Sequence, residues 1–286
     1  MDSSQPALLL PPCRAHKFGG SSLADAERIR HVAGLLLADD APRQLAVSSA
    51  MHGTTNALVA LADAATAGGE WRNALDALRQ RHRDTARALL EHPDAMLSQV
   101  DALCGELAEL LQATSLLRQP GRTALERIHG MGEVLSTALL HAHLVERGGD
   151  YALLDAREVL VVRHTDLGAV VDWEQSARNL VDWRARHPQT RANITGFVAR
   201  DEHGLPTTLG RNGSDYSAAI FASLFEADEL HIWSDVDGVL SADPRVVPEA
   251  VPLAAMSYRE ACELAYFGAK VIHPQTMTPA IARGLP

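Results

Sequence analysis

Apolar side chains at Leu23, Ile29, Val32, Leu35 and Leu36 repeat at the spacing of one helical face, with Ser22 placed as the N-cap. Just upstream, "RAHKF" reads as a short strand running into Gly19 and Gly20. Downstream, "QLAVSSA" reads as a buried strand, "MHGTTN" as a turn, and "ALVALADAATAGG" as a helix closed by glycines. Strand, small-residue turn, helix, strand is the alternation of a parallel α/β sheet. From Trp71 to Arg147 the pattern is helical, broken only at "EHPD" and "RQPGR". Strand patterns return in "YALLDA", "ANITGFVA" and "PTTLG", followed by a helix over "DYSAAIFASLFEA". "ELHIWSDVDGVL" reads as strand and turn, "SADPRVVPEA" as a loop, and "SYREACELAYFG" and "QTMTPAIARG" as closing helices. The expectation is a loose tail over 1–14 and one α/β domain over 15–286, with a helical elaboration in its N-terminal half.

Composition narrows the setting. The 286 residues carry a net charge of -10, from 26 basic and 36 acidic side chains, which argues against a dominant nucleic-acid or anionic-membrane partner. Cys13, Cys104 and Cys262 are few, odd in number and far apart, so the chain reads as cytoplasmic, without a disulfide framework. "LLLPPC" lacks the basic flank of a signal segment, and no apolar run has the length of a membrane span.

Candidate chemistry gathers in four polar loops that follow predicted strands: "KFGGSS", "SSAMHGTTN", "GRNGSD" and "WSDVDG". Turn formation alone accounts for any one of them. Together they supply glycine-rich approaches and helix N-termini, which hold phosphates through backbone N–H groups. Neither GxxxxGK[ST] nor GxGxxG occurs. Lys17 and Lys270 are the only lysines of the chain, each beside glycine, in a sequence that otherwise uses arginine. They suggest positions that need a compact point charge. The thirteen histidines include no HExxH, and His141 and His143 face different ways on a helix, so bound zinc is not expected. Ser48, Ser49 and Ser214 lie in the loops without a G-x-S-x-G elbow, which disfavours a serine hydrolase. On pattern alone, Glu133 in "HGMGEVLS" is a solvated helical glutamate.

Seven stretches in this order, "KFGGSS", "SSAMHGTTN", "GMGEVLS", "TTLGRNGSDYSA", "IWSDVDGV", "ADPRVV" and "FGAKVIHP", resemble the aspartokinase catalytic domain of the amino-acid kinase family. The spelling is nearest to the kinase half of fused aspartokinase–homoserine dehydrogenases. The resemblance covers the chain from about Ala15 onward. It implies a three-layer α/β/α sandwich with a mostly parallel central sheet of about eight strands. The implied reaction moves the γ-phosphoryl of ATP to the β-carboxylate of L-aspartate, giving 4-phospho-L-aspartate on the way to lysine, threonine, methionine and isoleucine.

Such a nucleophile is already ionised at neutral pH and needs no general base; the obstacle is the repulsion between two anions. Positioning and positive charge must therefore supply the catalysis. By resemblance, Lys17 and Lys270 neutralise the phosphates, and Asp215 orients Lys17. The amides of Phe18, Gly19 and Gly20 lie along the phosphates, and Mg2+ rides on the nucleotide. Arg211 grips the substrate α-carboxylate and Glu133 pairs with its ammonium. Ser49, Thr55, Asn212, Gly213 and Ser214 line the substrate pocket. Ser234, Asp235, Arg245 and Val271 match nucleotide-side positions. Asn212 stands where many relatives have glycine, although the fused enzymes share the asparagine, and Leu240 stands where a tyrosine is common. A homo-oligomeric parent, a fused dehydrogenase and an ACT-type regulatory region beyond this chain are further implications. Two alternatives compete: a member of the same fold acting on glutamate or an N-acylated amino acid, and a sensor that binds without turnover. Arg211 with Glu133 complements a free amino acid, and an N-acylated one would leave Glu133 unpaired.

Overall fold

The computed structural model describes residues 10–286 other than 167, 237, 244 and 267–273. The chain begins with β1 (Cys13–Phe18), α1 (Ala26–Ala38), β2 (Arg43–Ser48) and α2 (Thr54–Ala67). Three long helices follow: α3 (Arg72–Leu89), α4 (Asp94–Leu117) and α5 (Arg122–Glu146). Next come β3 (Tyr151–Leu154), α6 (Ala156–Val159), β4 (Val161–Thr165), β5 (Gly168–Val171) and α7 (Trp173–Arg186). The remainder comprises β6 (Arg191–Thr195), β7 (Val198–Asp201), β8 (Pro206–Thr208), α8 (Gly213–Leu224), β9 (Glu229–Trp233), α9 (Tyr258–Tyr266) and α10 (Pro274–Arg283).

β2 is buried at every position, as a strand covered on both faces must be. It lies at the centre of a wholly parallel five-stranded sheet ordered β3–β6–β2–β1–β9. Alternation along the strands feeds two cores. Phe18 and Ala46 pack with the apolar faces of α1 to α5, whereas Ala15, Leu45, Val47 and Ile194 pack with α7, α8 and the end of α10. Helices on both faces of a parallel sheet make the expected three layers. A second sheet, β5–β4–β7–β8, mixes parallel and antiparallel pairs, so the described residues hold nine strands in two sheets rather than about eight in one.

Three local expectations change. β1 starts at Cys13, inside the stretch read as tail, and Pro12 accepts the Arg43 N–H. The cap of α1 is Asp25, whose carboxylate accepts from Arg28 N, while Ser22 lies in a preceding 3-10 turn. "ANITGFVA" is two strands in different sheets, because Phe197 adopts φ 67° and turns the chain out of β6. Among the described residues, no helix is long and apolar enough to cross a membrane.

Candidate active site

Because the five central strands are parallel, the loops after β1, β2, β6 and β9 emerge at one end, where open α/β sheets bind their ligands. A cavity of about 700 Å³ opens there. Lys17 owes its place in the wall to strand alternation. Its neighbour Phe18 faces the α1–α5 core, so Lys17 faces the opposite side, where α8 begins. Its Nζ lies 2.6 Å from Asp215 Oδ1 in the first turn of that helix.

Two helices start at this cavity without a side-chain cap. α8 follows Asn212, at φ 54°, and α2 follows Gly53, at φ 78°. Their first-turn residues Ser214, Asp215, Thr55 and Asn56 line the same space, and a helix N-terminus favours an anion. The backbones approach closely. A Cβ on Gly20 would lie 3.0 Å from the Ala50 carbonyl, and one on Gly213 would lie 2.6 Å from the Phe197 ring.

Glu133 is not the solvated residue its pattern alone suggests; it is 3% exposed. Gly130 and Gly132 let α5 press against β7 and the loop after β2, since added Cβ atoms would fall 2.5 Å from Val198 Cγ1 and 2.7 Å from Ala50 Cβ. The Ala50 amide, its own amide and the Ser214 hydroxyl favour the ionised carboxylate, but its Oε2 is buried with no hydrogen-bond partner among the described residues. Burial outweighs them and pushes its pKa up to about 8. Among the described residues no cation pairs with it. Arg211 is exposed on the rim and likewise makes no ion pair among the described residues.

The structure brings most of the expected residues to this one cavity. Lys17, Gly20, Ser49, Thr55, Glu133 and Asp235 line it together with the run Arg211, Asn212, Gly213, Ser214 and Asp215. Gly19 adjoins it, with Lys17 Nζ 3.5 Å from its Cβ position, and the Ser234 hydroxyl donates to Asp235 at 3.2 Å. Phe18, expected along the phosphates through its amide, ends β1 with its side chain buried and its carbonyl accepting the Ser49 N–H. One expectation needs correction. Arg245 is outside the wall, exposed and paired with Asp243 at 2.7 Å, because its guanidinium finds that carboxylate two residues away. Leu240 forms an isolated bridge with Pro252. Lys270 and Val271 lie outside the described residues.

Phe197, His129, His52 and Thr208 also line the cavity; the last three lie within stretches quoted above, but none of the four was given a role there. The helical period was a usable signal for His129, which precedes Glu133 by four residues on α5.

The pattern of the amino acid kinase family matches residues 13–286. The chain belongs to that family. It is 39% identical over 275 residues to a chloroplastic bifunctional aspartokinase/homoserine dehydrogenase of Zea mays, covering 95% of the chain and 30% of the maize protein. It is 36% identical to the lysine-sensitive aspartokinase 3 of Escherichia coli, covering 94% of the chain and 59% of that enzyme. The crystal structure of E. coli aspartokinase III with aspartate and ADP superposes with a TM-score of 0.86 at 33% identity, over 95% of this chain and 60% of that one. The chain thus spans about a third of the plant relative and about three fifths of the bacterial one.

Proposed function

We propose that this kinase transfers the γ-phosphoryl of ATP to the β-carboxylate of L-aspartate. One observation carries the reading. A buried acid with an unpartnered oxygen, Glu133, shares a cavity with an unpaired rim arginine, Arg211, and with the Lys17–Asp215 ion pair. A free amino acid fits that set: its ammonium answers Glu133, its α-carboxylate answers the Arg211 fork, and its side-chain carboxylate is left toward Lys17. Ser49, Thr55 and the N-terminus of α2 offer hydrogen bonds to the same ligand.

The chemistry follows from charge. Two anions must meet, and Lys17, held by Asp215, neutralises the phosphoryl group in transfer while the N-terminal amides of α8 face the developing charge. Gly19, Gly20, Ser234 and Asp235 define the nucleotide side, with Lys270 and Val271 proposed as its further members. ATP arrives as its magnesium complex. Among the described residues no group of three or more His, Cys, Asp or Glu side chains forms a metal site, so phosphate and water oxygens would supply most of the metal's ligands. The free thiols of Cys13, Cys104 and Cys262 fit a reducing compartment such as cytoplasm. We place the reaction at the head of lysine, threonine, methionine and isoleucine synthesis, in a parent that carries a homoserine dehydrogenase.

The test is coupled ADP release with L-aspartate, L-glutamate and N-acetyl-L-glutamate as acceptors. Aspartate should give the highest kcat/KM, and preference for either other acceptor defeats the reading. Arg211→Ala should raise the aspartate KM by roughly 10- to 100-fold with kcat mostly retained. A change confined to the ATP KM would move Arg211 to the nucleotide side.

A further inference from the structure

On the face of the sheet opposite Lys17, β1 and β9 form an aromatic ladder that the reaction does not use. In register, His16 pairs with His231 and Phe18 with Trp233. The Trp233 ring stacks on Phe18 at 5.9 Å and 14°, and on His16 at 6.3 Å and 27°. His16 is buried, and both ring nitrogens are engaged. Its Nδ1 lies 3.2 Å from the indole Nε1 of Trp233, and its Nε2 lies 3.0 Å from Asp39 Oδ2. An indole N–H is only a donor. Nδ1 must therefore be the bare acceptor, and Nε2 carries the proton given to Asp39. Asp39 is itself fixed at the end of α1 by Arg14 Nη1 at 2.7 Å and the Ala41 N–H at 2.8 Å.

Trp233 is the last residue of β9, and its carbonyl is 3.7 Å from the Cβ position of Gly19. The two residues after it are Ser234 and the cavity-lining Asp235. We propose that His16 is a positioning residue for the 233–235 corner, latching Trp233 while neutral and releasing it on protonation. That this corner serves the nucleotide rests on the function proposed above.

Protonation puts a second N–H on Nδ1, which then faces the indole N–H, donor against donor, and the latch opens. Burial lowers the pKa of His16 against the pull of Asp39, so the latch is closed at neutral pH and opens as pH falls below the ordinary imidazole range. The charged groups around the ring are Asp39 after α1, Arg14 on β1, and Glu229 and His231 on β9. His231, a second imidazole, meets His16 edge-on at 5.2 Å, so it needs a control.

The experiment reads Trp233 emission, taken as the difference between the full protein and Trp233→Phe, from about pH 8 down to about pH 5. A single step is expected, which His16→Gln abolishes and His231→Gln keeps, because glutamine retains an acceptor but does not titrate. Binding of MgADP to the same proteins should weaken several-fold across the step in the parent and stay constant in His16→Gln. A step that survives in His16→Gln, or a parallel loss of affinity in both proteins, overturns the proposal. Should His16→Gln fail to fold, Trp233→Phe decides: it should bind MgADP more weakly at about pH 8, with no further loss on acidification. If no protein binds MgADP while the His16-dependent step persists, the kinase reading fails and the latch stands.

Discussion

Replacing Lys17 with methionine is expected to lower kcat by about three orders of magnitude or more while leaving the fold intact. The ammonium lies 2.6 Å from Asp215 and is only 11% exposed, so no other described cation occupies that point of the wall. Stability should move by no more than about 1 kcal/mol, because Asp215 is partly solvated and keeps the favourable end of α8 after the lysine is gone. Arginine should not rescue. Lys17 Nζ is already within 3.5 Å of the Cβ position of Gly19, and a planar fork at that point would displace either the loop or Asp215. Steady-state ADP release with a thermal melt of the same preparation checks both halves. Turnover at the parent rate would remove phosphoryl transfer from this cavity.

Glu133→Gln should separate stability from binding. The folded pKa of Glu133 is raised from 4.5 to about 8, so the fold prefers the neutral acid. The sign follows from linkage: its contribution is fully present below the unfolded pKa and is lost as pH rises from about 4.5 toward about 8. At pH 7 the ceiling on that loss is roughly 3 kcal/mol. Glutamine, neutral at every pH, should therefore melt higher than the parent at neutral pH and erase the decline between about pH 5 and about pH 8. On the proposed reading aspartate should act in the opposite direction, its ammonium pairing with the ionised carboxylate and expelling the proton. The aspartate KM of the parent should fall as pH rises toward about 8, and Glu133→Gln should raise it by about two orders of magnitude. Calorimetry in buffers of different ionisation enthalpy would detect the released proton. A parent whose melting is flat over that pH window, or a glutamine variant that still binds aspartate tightly, would contradict this account.

Legible in the sequence were the elements whose apolar period is strong and whose loops carry glycine. α3 to α5 stand close to where the helical pattern placed them, with breaks near "EHPD" and "RQPGR", whereas α1 starts later, at Ala26, and α2 earlier, at Thr54 inside the stretch read as a turn. α7 was not legible, because "WEQSARNLVDWRAR" buries only Ser176, Leu180 and Trp183 and offers too thin a stripe to read. Nor was the division of "ANITGFVA", since nothing in β-branched and aromatic composition announces a left-handed phenylalanine. The loops of the site were legible because turn chemistry and anion binding use the same residues. The burial of Glu133 was not, since it depends on α5 meeting a loop more than eighty residues away along the chain.

That meeting is governed by a missing methyl group. Any carbon attached at position 132 would contest the space of Ala50 Cβ at 2.7 Å, and the amide of the same Ala50 favours the ionised form of Glu133. The reach of the carboxylate into the cavity is thus set by how near a rigid rod can lie to a bend, and hydrogen is the only substituent thin enough to permit it.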